Sequence, residues 1–376
     1  MWTNVSVFTF GVSFYPMNRL QFFLGLALLL VIGHVVVVAQ APVSSSNPAA
    51  ISATAEKPTL ADAQAKLDAG EVDEALAELN KLQAQDSNTP GLARALGVAA
   101  FRKGEFATVA TELKQVTDKN PEDREAVQLL GLSYYYLGRT QDAIPLLERV
   151  HGWFPTANVD ASYVLGISYL RVNEYDKARK SFAEMYDVGA DSAASHLILA
   201  RMLLREGYDP IAEQELLKAN QIDPKLPGVH LFLGELYTYK SQIDKAIEEI
   251  KAELTIDPVN AEALYKLADA YSRAQKWDEA QRYLQRSIWI DSTSTGPYVL
   301  MAKVLLKKNE PTLGARAAQK AIAMDPKNYY AHFLLGQALL KLGKTEEANA
   351  EMKISQELQS SQTHSAAELK AGTGKE

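Results

Sequence analysis

The chain has 376 residues, 47% of them hydrophobic and 23% charged, with a formal net charge of −7 from 39 Lys and Arg against 46 Asp and Glu. The hydrophobic content is that of a folded protein, and the acidic balance excludes a general nucleic-acid binder, because counterion release from phosphates needs a basic surface. Cysteine is absent, which removes thiolate nucleophiles, disulfides, thiolate metal sites and lipid attachment to Cys together and leaves packing to hold the fold.

The first element in the chain is an apolar run, residues 22–39, FFLGLALLLVIGHVVVVA, preceded by Asn18-Arg19 and followed by Gln40-Ala41-Pro42. A positive start, an apolar stretch and small residues at its end make an export signal, with the cut between Ala39 and Gln40 because Pro42 disfavours a cut after Ala41. The same run is just long enough for an uncleaved membrane anchor, which needs about 20 apolar residues. Export places the rest of the chain in the periplasm or outside the cell, whereas an anchor holds it at the inner membrane, outside the cytoplasm. Met17, directly before Asn18-Arg19, reads as a more natural start than Met1. Residues 40–56 are small and polar with Pro, the composition of a flexible linker.

Beyond the linker the sequence repeats. Leu-Gly or its equivalent recurs as Leu96-Gly97, Leu130-Gly131, Leu165-Gly166, Leu199-Ala200, Leu233-Gly234, Leu267-Ala268, Met301-Ala302 and Leu335-Gly336, in steps of 34 residues with one step of 35. Twelve residues after each small residue lies a second small column, from Val109 and Ala143 to Ala348. Three residues after the first column lies a large apolar one that includes Tyr134, Tyr169, Leu203 and Tyr271, and sixteen after it another that includes Leu113, Phe182 and Met352. Apolar positions three, four and seven apart are one face of an α-helix. Each repeat therefore predicts a helix A and a helix B crossing at a small residue, best seen at 261–274 and 278–290.

The punctuation agrees. Gly70, Gly104, Gly138, Gly207 and Gly343 fall where helix A must stop, and Asn173 and Asn309 serve in the same place. Helix B ends before Asn120-Pro121, Phe154-Pro155, Asp223-Pro224, Asp257-Pro258 and Asp325-Pro326, since the residue before Pro is pushed out of the helical region. Asp209-Pro210 reads as an N-cap followed by Pro at the first helical position. Pro145 inside a helix B and the single longer step predict an irregularity between 145 and 190.

These columns resemble the tetratricopeptide repeat, a helix-turn-helix of the same period, over residues 90–359, with a divergent first unit at 57–89. The resemblance implies an all-α, right-handed superhelical solenoid of about nine repeats over 57–359, followed by a disordered tail at 360–376. It also implies a non-catalytic scaffold whose helix A face lines a concave groove for a partner peptide or helix.

His196, His230 and His332 share one column, but neighbouring repeats stand roughly 10 Å apart, too far for ligands of one zinc, and they read as packing imidazoles. Gly372-Thr373-Gly374-Lys375 lacks the context of a phosphate loop. No catalytic set, metal site or cofactor site stands out, so no enzyme activity is expected. Five residues beyond the small residue stand Arg102, Tyr136, Arg171, Arg205, Tyr239, Arg273, Lys307 and Lys341. Arg94, Tyr135, Tyr163, Arg201, Tyr265, Lys303 and Phe333 add to the same helix face. That pattern predicts a basic, Tyr-rich groove for an acidic peptide, while a plainer reading is that Lys or Arg at the end of helix A complements the helix dipole. An alternative role is a membrane-anchored regulatory or targeting subunit of an envelope enzyme complex.

Overall fold

In a computed structural model of the chain, residues 59–153 and 159–372 are described, and among them are eighteen α-helices and no strand. The helices pair within nine repeats, the first four being α1 (Leu60–Ala69) with α2 (Val72–Gln85), α3 (Leu92–Lys103) with α4 (Phe106–Lys119), α5 (Arg124–Tyr136) with α6 (Thr140–Trp153), and α7 (Val159–Arg171) with α8 (Tyr175–Met185). Then come α9 (Ala193–Glu206) with α10 (Asp209–Ile222), α11 (Val229–Tyr239) with α12 (Ile243–Ile256), and α13 (Ala261–Arg273) with α14 (Trp277–Ile290). The last are α15 (Thr295–Lys307) with α16 (Pro311–Met324) and α17 (Tyr329–Lys341) with α18 (Thr345–Gly372). The chain divides into two compact units, whose described parts are 59–236 and 237–372.

Local chemistry sets the helix ends. Thr59, Asp123, Ser192, Asn260 and Asn328 cap helices A through their side chains, as Asp123 does by accepting from Ala126 N at 3.1 Å. At the other end the carbonyl of Lys66, Ala100, Tyr134, Tyr169, Leu203, Tyr237, Tyr271, Leu305 or Leu339 accepts a backbone N–H five residues on, at 2.8–3.0 Å in all nine repeats. This closure needs one left-handed residue. Gly207 supplies it at φ 83°, Asn173 and Asn309 at 63° and 60°, and Ser241 and Gln275, unforeseen from composition, at 59° and 58°. The N-cap of α10 is Tyr208 rather than Asp209, which is the first helical residue with Pro210 second; the N–H that Pro lacks is still one of the unpaired first-turn donors.

The first small column works by close approach. A Cβ on Gly166 would lie 2.6 Å from the Phe182 ring, and one on Gly336 would lie 2.8 Å from Met352 Cγ. Both partners stand sixteen positions further on, in the large column of helix B. Phe182, Leu113 and Leu147 are completely buried there, and helix B of one repeat also packs on helix A of the next, as α4 does on α5 and α14 on α15. Within each unit successive A helices touch, α3 with α5 and α5 with α7 in one, α15 with α17 in the other.

Three departures from the regular pattern are visible. Pro145 lies inside α6 without ending it. The extra residue of the longer step falls among 154–158, outside the described residues, whereas α8 has only 11 residues, ends at Met185 with Tyr186 as its C-cap, and is followed by Asp187 at φ 51° instead of an Asx-Pro pair. The helix of the last repeat does not stop near 359, because α18 runs on to Gly372 and makes residues 360–372 helical. That stretch contains no Pro, and Ala366, Ala367, Glu368, Leu369, Lys370 and Ala371 all favour helix.

Candidate partner-binding face

In the unit at 59–236, the A helices bring several of the expected groove residues together. Tyr135 in α5 is buried, and the guanidinium carbon of Arg171 in α7 lies 4.4 Å from its ring centroid while Arg171 Nη2 donates to Tyr135 Oη at 3.4 Å. Burial pushes the Tyr135 hydroxyl up to about 12, against the pull of Arg171. Tyr136 is 44% exposed and stacks on Phe106 of the preceding repeat at 4.4 Å. Tyr163, half-buried beside Phe182, is raised by burial and feels the positive charge of Arg205 in α9. Arg201 lies over Phe232 in α11 at 5.4 Å. Arg171, Arg201 and Arg205 are exposed, so cations rest on an aromatic layer across successive helices.

Two predicted cations are engaged inside the solenoid. Arg94 pairs with Asp123 at 2.9 Å and with Glu125, both at the start of the next helix A. Arg102 donates from Nη1 to the Leu67 carbonyl in the last turn of α1, the plainer role of a cation at a helix C-terminus.

In the unit at 237–372, Tyr239 is 78% exposed and Lys307 is exposed, while Tyr265 and Lys303 are half-buried. Tyr265 is raised by burial, and a Cβ on Gly296 would lie 3.1 Å from its ring, so glycine lets α15 start against it. Arg273 is held by Asp269 at 2.8 Å, and Lys341 donates to Asn309 Oδ1 at 3.2 Å.

The column of imidazoles packs as expected at two places and adds a partner that sequence reasoning missed. Nδ1 of His196 lies 2.6 Å from Glu215 Oε2, and Nδ1 of His332 lies 2.6 Å from Glu351 Oε2. Nineteen residues separate His from Glu in both, and that shared spacing was the available signal. Among the described residues no group of three or more His, Asp or Glu stands ready for a metal ion, and no helix is long and apolar enough to cross a membrane. Ala39 and Gln40, with the apolar run before them, lie outside the described residues.

The family model for the N-terminal tetratricopeptide repeat region of Psidin matches residues 64–288, and a tetratricopeptide repeat model matches 299–356. The chain is a tetratricopeptide repeat protein. Among curated relatives, it is 22% identical over 280 residues to the Protein CTR9 homolog of Arabidopsis thaliana, covering 72% of this chain and 26% of that one. It is 21% identical over 275 residues to the TPR repeat-containing protein YpiA of Bacillus subtilis, covering 64% of this chain and 63% of that one. It thus spans less than two thirds of either relative. Among solved structures, MamA shares 24% identity over 44% of this chain and 96% of its own, with a TM-score of 0.41. The matches to tetratricopeptide repeats thus run through both units, and the A helices that carry the cation-on-aromatic contacts belong to those repeats.

Proposed function

We propose that this tetratricopeptide repeat protein is a non-catalytic protein-interaction scaffold, exported to the periplasm or cell envelope, that holds an acidic peptide or helix against its A helices. The observation that carries the reading is the stacking of Arg171 on the buried ring of Tyr135, beside exposed Arg201 and Arg205. A guanidinium fixed on a ring keeps its N–H fork pointed outward at low entropic cost, which suits bidentate recognition of carboxylates. Export rests on the apolar run at 22–39 and the small residues before Gln40.

The test is site-specific photo-crosslinking in the cell envelope from positions 163 and 201, with sequencing of the mature N-terminus. Crosslinks to one partner with an acidic segment, lost when Arg171, Arg201 and Arg205 are all changed to Glu at unchanged helicity, support the scaffold. Undiminished crosslinking in that variant overturns the groove. A chain beginning at Gln40 supports export, and an intact leader supports a membrane-tethered adaptor instead.

A further inference from the structure

The outer side of the second unit carries a charge pattern that the A-helix groove does not use. On α14, Arg282, Gln285, Arg286 and Trp289 follow one another at helical spacing on one face, line a shallow surface depression, and are all exposed. Trp289 is 85% exposed, the most of any large hydrophobic side chain among the described residues. In the next repeat, α16 sets Arg316, Gln319 and Lys320 at the same register positions, again all exposed.

None of these four cations takes part in an ion pair among the described residues; Arg286 donates to the Pro258 carbonyl at 3.4 Å and lies over the Tyr283 ring at 5.8 Å. Of the two acids on α14, Asp278 and Glu279, Asp278 is held by Lys308 at 2.7 Å and also feels the charge of Arg282, and α16 contains no acidic residue at all. These exposed cations thus stand outside any ion pair among the described residues, beside a tryptophan that is almost fully exposed. Residues four apart on a helix face stand about 6 Å apart, so each of the two helices presents a pair of cations one turn apart.

We propose that the outer faces of α14 and α16 form a second docking surface, distinct from the A-helix groove, for an acidic helical segment of a partner protein. Carboxylates at i and i+4 on such a segment match the spacing of Arg282 with Arg286 and of Arg316 with Lys320. Gln285 and Gln319 supply hydrogen bonds between the charges, and Trp289 supplies the apolar area to be covered. The flank towards α12 favours a narrow occupant over a membrane. The register position of Arg282 and Arg316 is Glu248 in α12, and it is exposed. An anionic bilayer spread over these helices would meet that carboxylate, whereas a single helix along α14 or α16 need not.

The test uses the mature-length protein and a helical, Trp-free peptide with Glu at i and i+4 spacing, its Gln counterpart, and vesicles containing phosphatidylserine. Binding is followed by anisotropy of the labelled peptide and by the emission of Trp289, isolated by comparison with Trp289→Phe. The expected result is saturable binding of the Glu peptide at low salt, with a blue shift of Trp289. In the groove variant carrying Glu at 171, 201 and 205, which removes that site's own affinity for acidic segments, affinity should fall at least tenfold with the Gln peptide and on adding Arg286→Glu/Lys320→Glu. The blue shift of Trp289 should be the same in wild type and in that groove variant, which separates failure of this surface from failure of the groove. Absence of binding, equal binding of the Glu and Gln peptides, or equal affinity of the outer-face variant overturns the proposal. So does vesicle binding that is lost in that variant while peptide binding is not.

Discussion

His196 and Glu215 face each other across the two helices of one repeat, Nδ1 to Oε2 at 2.6 Å, with both side chains nearly out of solvent. Glu215 has one further partner, Lys218 at 2.7 Å on its own helix. Breaking a buried pair by removing one member costs about 3–5 kcal/mol, whereas replacing both by apolar groups is often neutral. His196→Leu should therefore destabilise the protein by that order, and His196→Leu/Glu215→Leu by clearly less. Chemical denaturation of the two variants decides; a single variant no worse than the double would show that the contact is incidental.

Glycine in α7 is required by contact, not by backbone angle. Gly166→Ala drives its Cβ to within 2.6 Å of the Phe182 ring, and overpacking of this kind costs about 1–3 kcal/mol. Gly152 in α6 meets nothing within 4 Å, so Gly152→Ala should stabilise by about 0.5–1 kcal/mol. Thermal melts of the pair that move in the same direction would refute the assigned crossing.

Alkali should loosen the unit at 59–236 through Tyr135. Its hydroxyl is pushed by burial from an ordinary value of 10.0 to about 12. A raised value means that stability is fully present below the unfolded value and is lost as pH rises from there through the folded one. In a difference titration of wild type against Tyr135→Phe, the tyrosinate signal of this residue should appear near 12. Appearance at the ordinary value would mean that the Arg171-covered ring is open to water.

Acid should act on the junction of α3 and α5. Partial burial works against ionisation of Asp123, but the hydrogen bonds from Arg94 and from Ala126 N outweigh it and hold the carboxyl below its usual value. A lowered value makes the contribution present above the unfolded value and lost as pH falls through the folded one. At neutral pH Asp123→Ala should cost about 0.5–2 kcal/mol, the range for a helix cap, and this deficit should shrink below the ordinary carboxylate range. A deficit unchanged in acid would assign the effect to packing alone.

The repeats were legible because their constraints are local and periodic. Leu267-Ala268 and Tyr271 announce a buried helix face by spacing alone, and Asn173 and Asn309 mark helix ends because they tolerate the left-handed region. Ser241 and Gln275 adopt the same conformation without any signal in composition, since there the demand comes from the hydrogen-bonded closure that every repeat shares. The candidate groove was legible only as a column of residue types. Arg102, Arg171 and Arg273 look alike in that column, yet one holds a carbonyl of the preceding repeat, one lies on a tyrosine ring and one pairs with an aspartate on its own helix.

What the sequence by itself determined is the period, the pairing of helices within each repeat and the absence of cysteine chemistry, because backbone propensity, turn residues and apolar spacing act over a few positions of the chain. What only the tertiary structure decided is which charges remain available. His196 finds Glu215 on the facing helix, Arg94 is consumed by the next repeat, and Arg316 and Lys320 on α16 stay exposed and outside any ion pair among the described residues. Coulomb and hydrogen-bond energies depend on distances of a few ångströms, and between residues far apart in sequence those distances exist only once the helices are packed.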